Sequence, residues 1–107
     1  MKKVAELISL KGSAALITGA TGNIGQEVAL TIAELGGNLI LVDRPGSNYD
    51  QIRENVLDNW NVNVKCIDCD LENHNSRINL IEEIVKNNVN LDILINNAAF
   101  VGESNLE

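Results

Sequence analysis

Residues 18–25 read Thr18-Gly19-Ala20-Thr21-Gly22-Asn23-Ile24-Gly25, and this stretch with its flanks decides the fold. Before it, Ala14-Ala15-Leu16-Ile17 is a short apolar run, the pattern of a strand buried on both faces. After it, Ile24, Val28, Ile32 and Leu35 recur every three or four residues, which marks a helix that Gly36-Gly37 ends. Glycines at 19, 22 and 25 therefore lie where a strand hands over to a helix. In that setting each has a separate use. Gly19 allows a tight turn, Gly22 bares the backbone N–H groups, and Gly25 lets helix and strand pack closely. The helix start adds free N–H groups and a positive dipole end, a local field that suits an anion even in a chain of net charge −7. A glycine triplet alone also fits a turn with no ligand, so the other strand ends carry weight.

Working outward, Asn38–Val42 is a second buried strand that ends at Asp43, and Arg44–Asn48, with Pro45 and Gly46, reads as a loop. Ile52, Val56 and Trp60 sit four apart on one face of a second helix. Val62, Val64 and Cys66 alternate toward a third strand ending near Asp70. Ile78, Ile81 and Val85, with Leu80 and Ile84 beside them, mark a third helix that Ser76 or Asn75 could cap. Leu91–Ile95 is the fourth strand, ending at Asn96-Asn97. The order β-α-β-α-β-α-β implies an α/β fold with a parallel sheet and helices on both faces. Right-handed crossovers then give strand order 3-2-1-4, the first part of a Rossmann-type doubly wound sheet, in one domain spanning residues 1–107.

Composition excludes several classes. Lys and Arg are scattered apart from Lys2-Lys3, so the basic stripe that nucleic acid requires is missing. No apolar run approaches the roughly 20 residues that span a bilayer. Residues 1–10 carry Lys2, Lys3 and Glu6 without a continuous apolar core, so they read as a short extension, not a signal peptide, and the expected location is cytoplasmic. Cys66 and Cys69 are three apart on a strand-like run, which sends the sulfurs to opposite faces, so two reduced thiols are expected there and neither a redox pair nor a metal site. His74 reads as solvated, and Glu82-Glu83 diverge on a helix surface.

The cofactor reading follows from Asp43. It ends the second strand 18 residues after Gly25, where a carboxylate bonds the adenosine ribose hydroxyls of a dinucleotide. A carboxylate there repels a 2′-phosphate, so NAD is expected ahead of NADP. Arg44 beside it could receive that phosphate and leaves NADP as the lesser alternative.

These four strand ends, Thr18–Gly25, Asp43, Asp70-Leu71 and Asn96-Asn97-Ala98-Ala99, together resemble the N-terminal half of the short-chain dehydrogenase/reductase family, as does Leu10-Lys11-Gly12 ahead of the first strand. The resemblance covers about residues 10–100. It implies cofactor contacts from Gly19, Thr21, Gly22, Asn23, Ile24, Gly25, Asp43 and Arg44. It further implies that Asp70 bonds the adenine amino group beside the Leu71 backbone, that Asn97 and Ala98 lie against the adenosine ribose with Ala99 also at the cofactor, and that Asn96–Ala99 brace the sheet. Glycines at the second, fifth and eighth turn positions resemble the family's extended branch. Asn96–Ala99 resembles its main branch, with Ala99 where Gly is commoner, and that likeness weighs more.

The family's catalytic Ser and Tyr-x-x-x-Lys have no counterpart here: the only tyrosine is Tyr49, and four residues on stands Arg53. The resemblance thus implies the cofactor-binding half of an NAD(P)-dependent oxidoreductase. Hydride would pass between nicotinamide and a small-molecule alcohol or ketone, with a likeness to members tied to surface-sugar or flagellin modification. The implied assembly is a homo-oligomer, with no nucleic-acid or membrane partner. The alternatives are a nucleotide-binding module without activity and a methyltransferase-like domain, against which Asn96–Ala99 argues.

Overall fold

The computed structural model describes residues 9–87 and 89–98. Four strands, β1 (Ala14–Thr18), β2 (Asn38–Asp43), β3 (Val64–Asp68) and β4 (Ile93–Asn96), alternate with three helices, α1 (Asn23–Glu34), α2 (Asp50–Asn59) and α3 (His74–Lys86). All pairings are parallel and the order is β3-β2-β1-β4, as the alternation of elements implies. The register brings the strand ends level: Thr18 faces Val42 on one side and Asn96 on the other, and Asp43 faces Asp68.

The two faces of the sheet carry separate cores, which is why β1 and β2 are apolar without alternation. On one face Ala15, Ile17, Leu39 and Leu41 pack with Ala29, Ile32 and Ala33 of α1 and with Ile52 and Val56 of α2. On the other, Leu16, Ile40 and Val42 pack with Cys69 and with Leu80 of α3. Fully burying a branched side chain such as Ile17, Leu41 or Ile52 stabilises by about 1.5–3 kcal/mol each. Cys66 packs on the first core and Cys69 lies in the second, both as free thiols on opposite faces.

Helix ends refine the sequence expectations. At the end of α1, Gly36 (φ +93°) donates to the Ala33 carbonyl and Gly37 to the Ile32 carbonyl (2.9 and 3.0 Å), a paired closure that needs a left-handed residue at Gly36. The cap of α3 is Asn73, whose side chain accepts from the Ser76 amide (2.8 Å), and not Ser76 or Asn75. Ser76 is the third residue of the helix, and its hydroxyl accepts from the Asp70 amide (2.9 Å). Along α3 the apolar stripe also differs from expectation. Leu80 faces the core and Ile84 joins it, whereas Ile78, Ile81 and Val85 are exposed.

Candidate functional site

The site is built at the C-terminal ends of the strands, starting with the turn after β1. Gly19 (φ +66°) reverses the chain, and a Cβ there would stand 3.0 Å from the Ala98 Cα. A Cβ on Gly25 would run into the Gly19 carbonyl oxygen and lie 2.9 Å from the Ala20 Cα, so this glycine is fixed by the fold itself. Gly22 is different. Its φ of −76° suits any residue, and an added Cβ would meet only the Gly19 oxygen at an ordinary 3.5 Å. The protein leaves room for a side chain here, yet Gly22 lines an open cleft. Gly22 is also the N-cap of α1. No side chain caps that end, and its first turn holds no acidic residue. The orphan N–H groups of the helix start are therefore open to an anion.

Ile24 was expected on the core stripe of α1. It is 69% exposed and lines the cleft instead, while the helix buries Gly25, Ala29, Ile32 and Ala33. Close approach of helix to strand at Gly25 favours small residues on that face, and a pattern of large apolar residues misses them.

At the end of β2, Asp43 is held from two sides. Its Oδ2 accepts from the Thr21 amide (2.9 Å) and the Thr21 hydroxyl (2.6 Å), and its Oδ1 from the Arg44 amide (2.8 Å). Burial pushes this carboxyl up, but the bonds from Thr21 and from the Arg44 amide, with the Arg44 charge, outweigh it and hold the group below its usual value. Tyr49 closes the other side. Its hydroxyl accepts from the Asp43 amide (3.0 Å) and faces Asp68 Oδ1 (3.0 Å) and the Ile67 carbonyl (3.1 Å), which ties the ends of β2 and β3 together. Burial first, and then the Asp68 carboxylate, push that hydroxyl well above the ordinary tyrosine value.

After β3, Asp70 forms a tight turn: its Oδ1 accepts from the Glu72 amide (3.1 Å) and its carbonyl from the Asn73 amide. The Leu71 carbonyl is taken by Arg77 Nη1 (2.6 Å). After β4, Thr18 organises the next turn. Its buried hydroxyl donates to Asn96 Oδ1 (3.1 Å) and accepts from the Asn97 and Ala98 amides (3.0 Å each). The Asn97 side chain donates to the Gly19 carbonyl (3.3 Å), so the first and fourth strand ends are cross-tied. Ala99 lies outside the described residues.

These ends surround one cleft of about 910 Å³, lined by Gly19, Thr21, Gly22, Asn23 and Ile24, by Asp43 and Arg44, by Asp70 and Leu71, and by Asn97 and Ala98. Gly25 lies beneath it and shapes the turn. Val42, Cys69, Glu72 and Asn96 complete the lining; the sequence does not place them in the site, and it gives Asn96 only a part in bracing the sheet. The cleft walls carry three carboxylates, Asp43, Asp70 and Glu72, against the single guanidinium of Arg44. The hydroxyl of Thr18 was also missed as an organiser, although a lone polar residue closing an apolar strand was a usable signal.

Among the described residues no three His, Cys, Asp or Glu side chains gather as a metal site, and no helix is long and apolar enough to cross a membrane. Comparison with known proteins agrees with this architecture. The short chain dehydrogenase family model matches residues 13–107. A very-long-chain 3-oxoacyl-CoA reductase of Coccidioides immitis is 39% identical over 89 residues, covering 81% of this chain and 25% of the relative. An NADPH-dependent 3-quinuclidinone reductase from Rhodotorula rubra superposes with a TM-score of 0.73 at 32% identity, covering 88% of this chain and 35% of that one. An NAD+-bound xylitol dehydrogenase gives 0.78 at 30% identity, covering 87% and 35%. The chain spans 25–38% of the length of the curated relatives it matches. A family model that matches from the first strand onward, and relatives and folds similar at 30–39% identity, lead to one assignment: the chain belongs to the short-chain dehydrogenase/reductase family of oxidoreductases.

Proposed function

We propose that this chain forms the NAD-binding part of an oxidoreductase that moves hydride between the nicotinamide and an alcohol or ketone carbon. The observation that carries the reading is the convergence of four strand ends on one cleft whose floor is an uncapped helix start. The residues present fit the cofactor. Gly22 has space for a Cβ that only a ligand would contest, so the pyrophosphate belongs beside it against the first amides of α1. Asp43 meets the adenosine ribose, Asp70 and Leu71 flank the adenine, and Asn97 and Ala98 close the ribose side. When bound, the nicotinamide supplies the hydride donor or acceptor. The described residues hold the adenosine and pyrophosphate end of the dinucleotide, and proton transfer to the substrate oxygen falls to groups elsewhere in the whole protein.

The excess of carboxylates over guanidinium in the cleft favours NAD over the more anionic NADP. The neighbours themselves divide, since one is NADPH-dependent and another holds NAD+. Calorimetric titration of the chain with NADH is the test. Saturable one-to-one binding, competed by ADP-ribose, is the expected result. No heat and no competition would remove the reading.

A further inference from the structure

Asp43 is assigned above to the adenosine ribose, yet most of its carboxylate is already engaged. A carboxylate has about four lone-pair sites, two on each oxygen. Oδ2 accepts two bonds from Thr21, through amide and hydroxyl, and is filled. Oδ1 accepts one, from the Arg44 amide, and keeps one site open. The carboxylate can therefore take one further hydroxyl, and only at Oδ1.

The Thr21 hydroxyl makes the shortest of these bonds, 2.6 Å to a charged acceptor, within the range of strong charge-assisted pairs. It fixes a torsion that is otherwise broad in aspartate. Thr21 is itself constrained. It is branched at Cβ, and its carbonyl accepts from Gln26 Nε2 (2.8 Å), which anchors it to the first turn of α1. The residue that aims the acid is thus locked to the turn that faces the pyrophosphate. A freely turning aspartate could swing away from a 2′-phosphate, and one held on two sides cannot.

We infer that Thr21 is a positioning and specificity-determining residue: its hydroxyl holds Asp43 with a single open acceptor at Oδ1, matched to a ribose hydroxyl of NAD and closed to the 2′-phosphate of NADP. The inference rests on the cofactor reading above. Thr21→Val keeps the shape and removes the hydroxyl, and Thr21→Ser restores it. Titrations of the chain across acid pH with NAD+ and NADP+, which unlike their reduced forms survive acid, should show Thr21→Val binding NAD+ about tenfold more weakly, with a preference over NADP+ narrowed by a similar factor. The acid limb of NAD+ affinity should also move to higher pH, because Asp43 loses a bond to its charged form. Thr21→Ser should return all three.

If Thr21→Val leaves affinity, preference and acid limb unchanged, the inference is overturned while the cofactor site stands. A wild type that prefers NADP+ overturns it as well. A wild type that binds neither nucleotide removes the site and the inference together. Should Thr21→Val not fold, the Asp43 carboxyl followed by carbon NMR in wild type and Thr21→Ser decides. Titration below the usual aspartate range in both supports the hold, and an ordinary value in both refutes it.

Discussion

Gly22 and Gly25 stand three residues apart in one turn and answer to different constraints. At Gly25 the obstruction to a side chain is backbone, the Gly19 carbonyl and the Ala20 Cα, which cannot yield without reopening the turn. Gly25→Ala is expected to destabilise by about 3 kcal/mol or more, as overpacking against backbone does at its worst. At Gly22 the protein offers a Cβ ordinary space and a permitted φ, so Gly22→Ala should cost only about 1 kcal/mol, the usual preference of a helix N-cap for Gly over Ala. The same methyl would stand between ligand and helix start, and NADH binding should weaken about tenfold or more. Urea unfolding and calorimetric titration of both variants separate the two constraints. A Gly22→Ala chain that binds NADH normally would show that nothing approaches this backbone.

Among the elements, the ends of β2 and β3 depend on Tyr49, which lies in the loop before α2 and reaches both strands with one hydroxyl. Tyr49→Phe leaves the Asp43 amide without its partner, and a cost of about 1 kcal/mol is expected at neutral pH for this half-buried group. The pH dependence has a definite sign. The hydroxyl is raised in the folded chain, so its contribution is full below the unfolded tyrosine value of about 10 and is lost as pH rises above it. Tyr49 is the only tyrosine, so the stability gap between wild type and Tyr49→Phe should narrow from about pH 9 to pH 11 in urea unfolding. A constant gap would place the hydroxyl in solvent. Tyr49 also marks where sequence reading stops. β1 and β2 are legible because helices cover both faces, which leaves continuous apolar runs. β3 was read from Val62 but pairs only from Val64, since alternation in a sequence does not record where a neighbour begins. That Gly19, Gly22, Asp43 and Asn97 gather at one cleft is legible because each stands at a strand end. Thr18, Thr21 and Tyr49 bond groups 6 to 80 residues away in the chain, so a polar residue at a strand end can be noticed in the sequence while its partner cannot.

For the molecule as a whole, the side of the sheet that carries α3 has more apolar surface than that helix covers. Among the described residues β4 is paired on one side only, with β1. Leu94 at its centre is 66% exposed, and it stands beside Leu16, whose core is the one under α3. Ile81 and Val85 of α3 are exposed as well. A strand edge with free amides and carbonyls beside exposed apolar side chains is a template for pairing with a second copy of the same chain. The net charge of −7 opposes this, because like-charged copies repel. Salt should decide which effect wins: the Debye length falls from about 30 Å at 0.01 M to about 8 Å at 0.15 M, which removes most of the repulsion and leaves the apolar contact. Light scattering of the 107-residue chain should therefore report a mass above the monomer that rises with added salt. Leu94→Lys, which puts a charge on the edge at no cost to the core, should return it toward the monomer. A chain that stays monomeric at high concentration in both salts would mean that this edge is already satisfied.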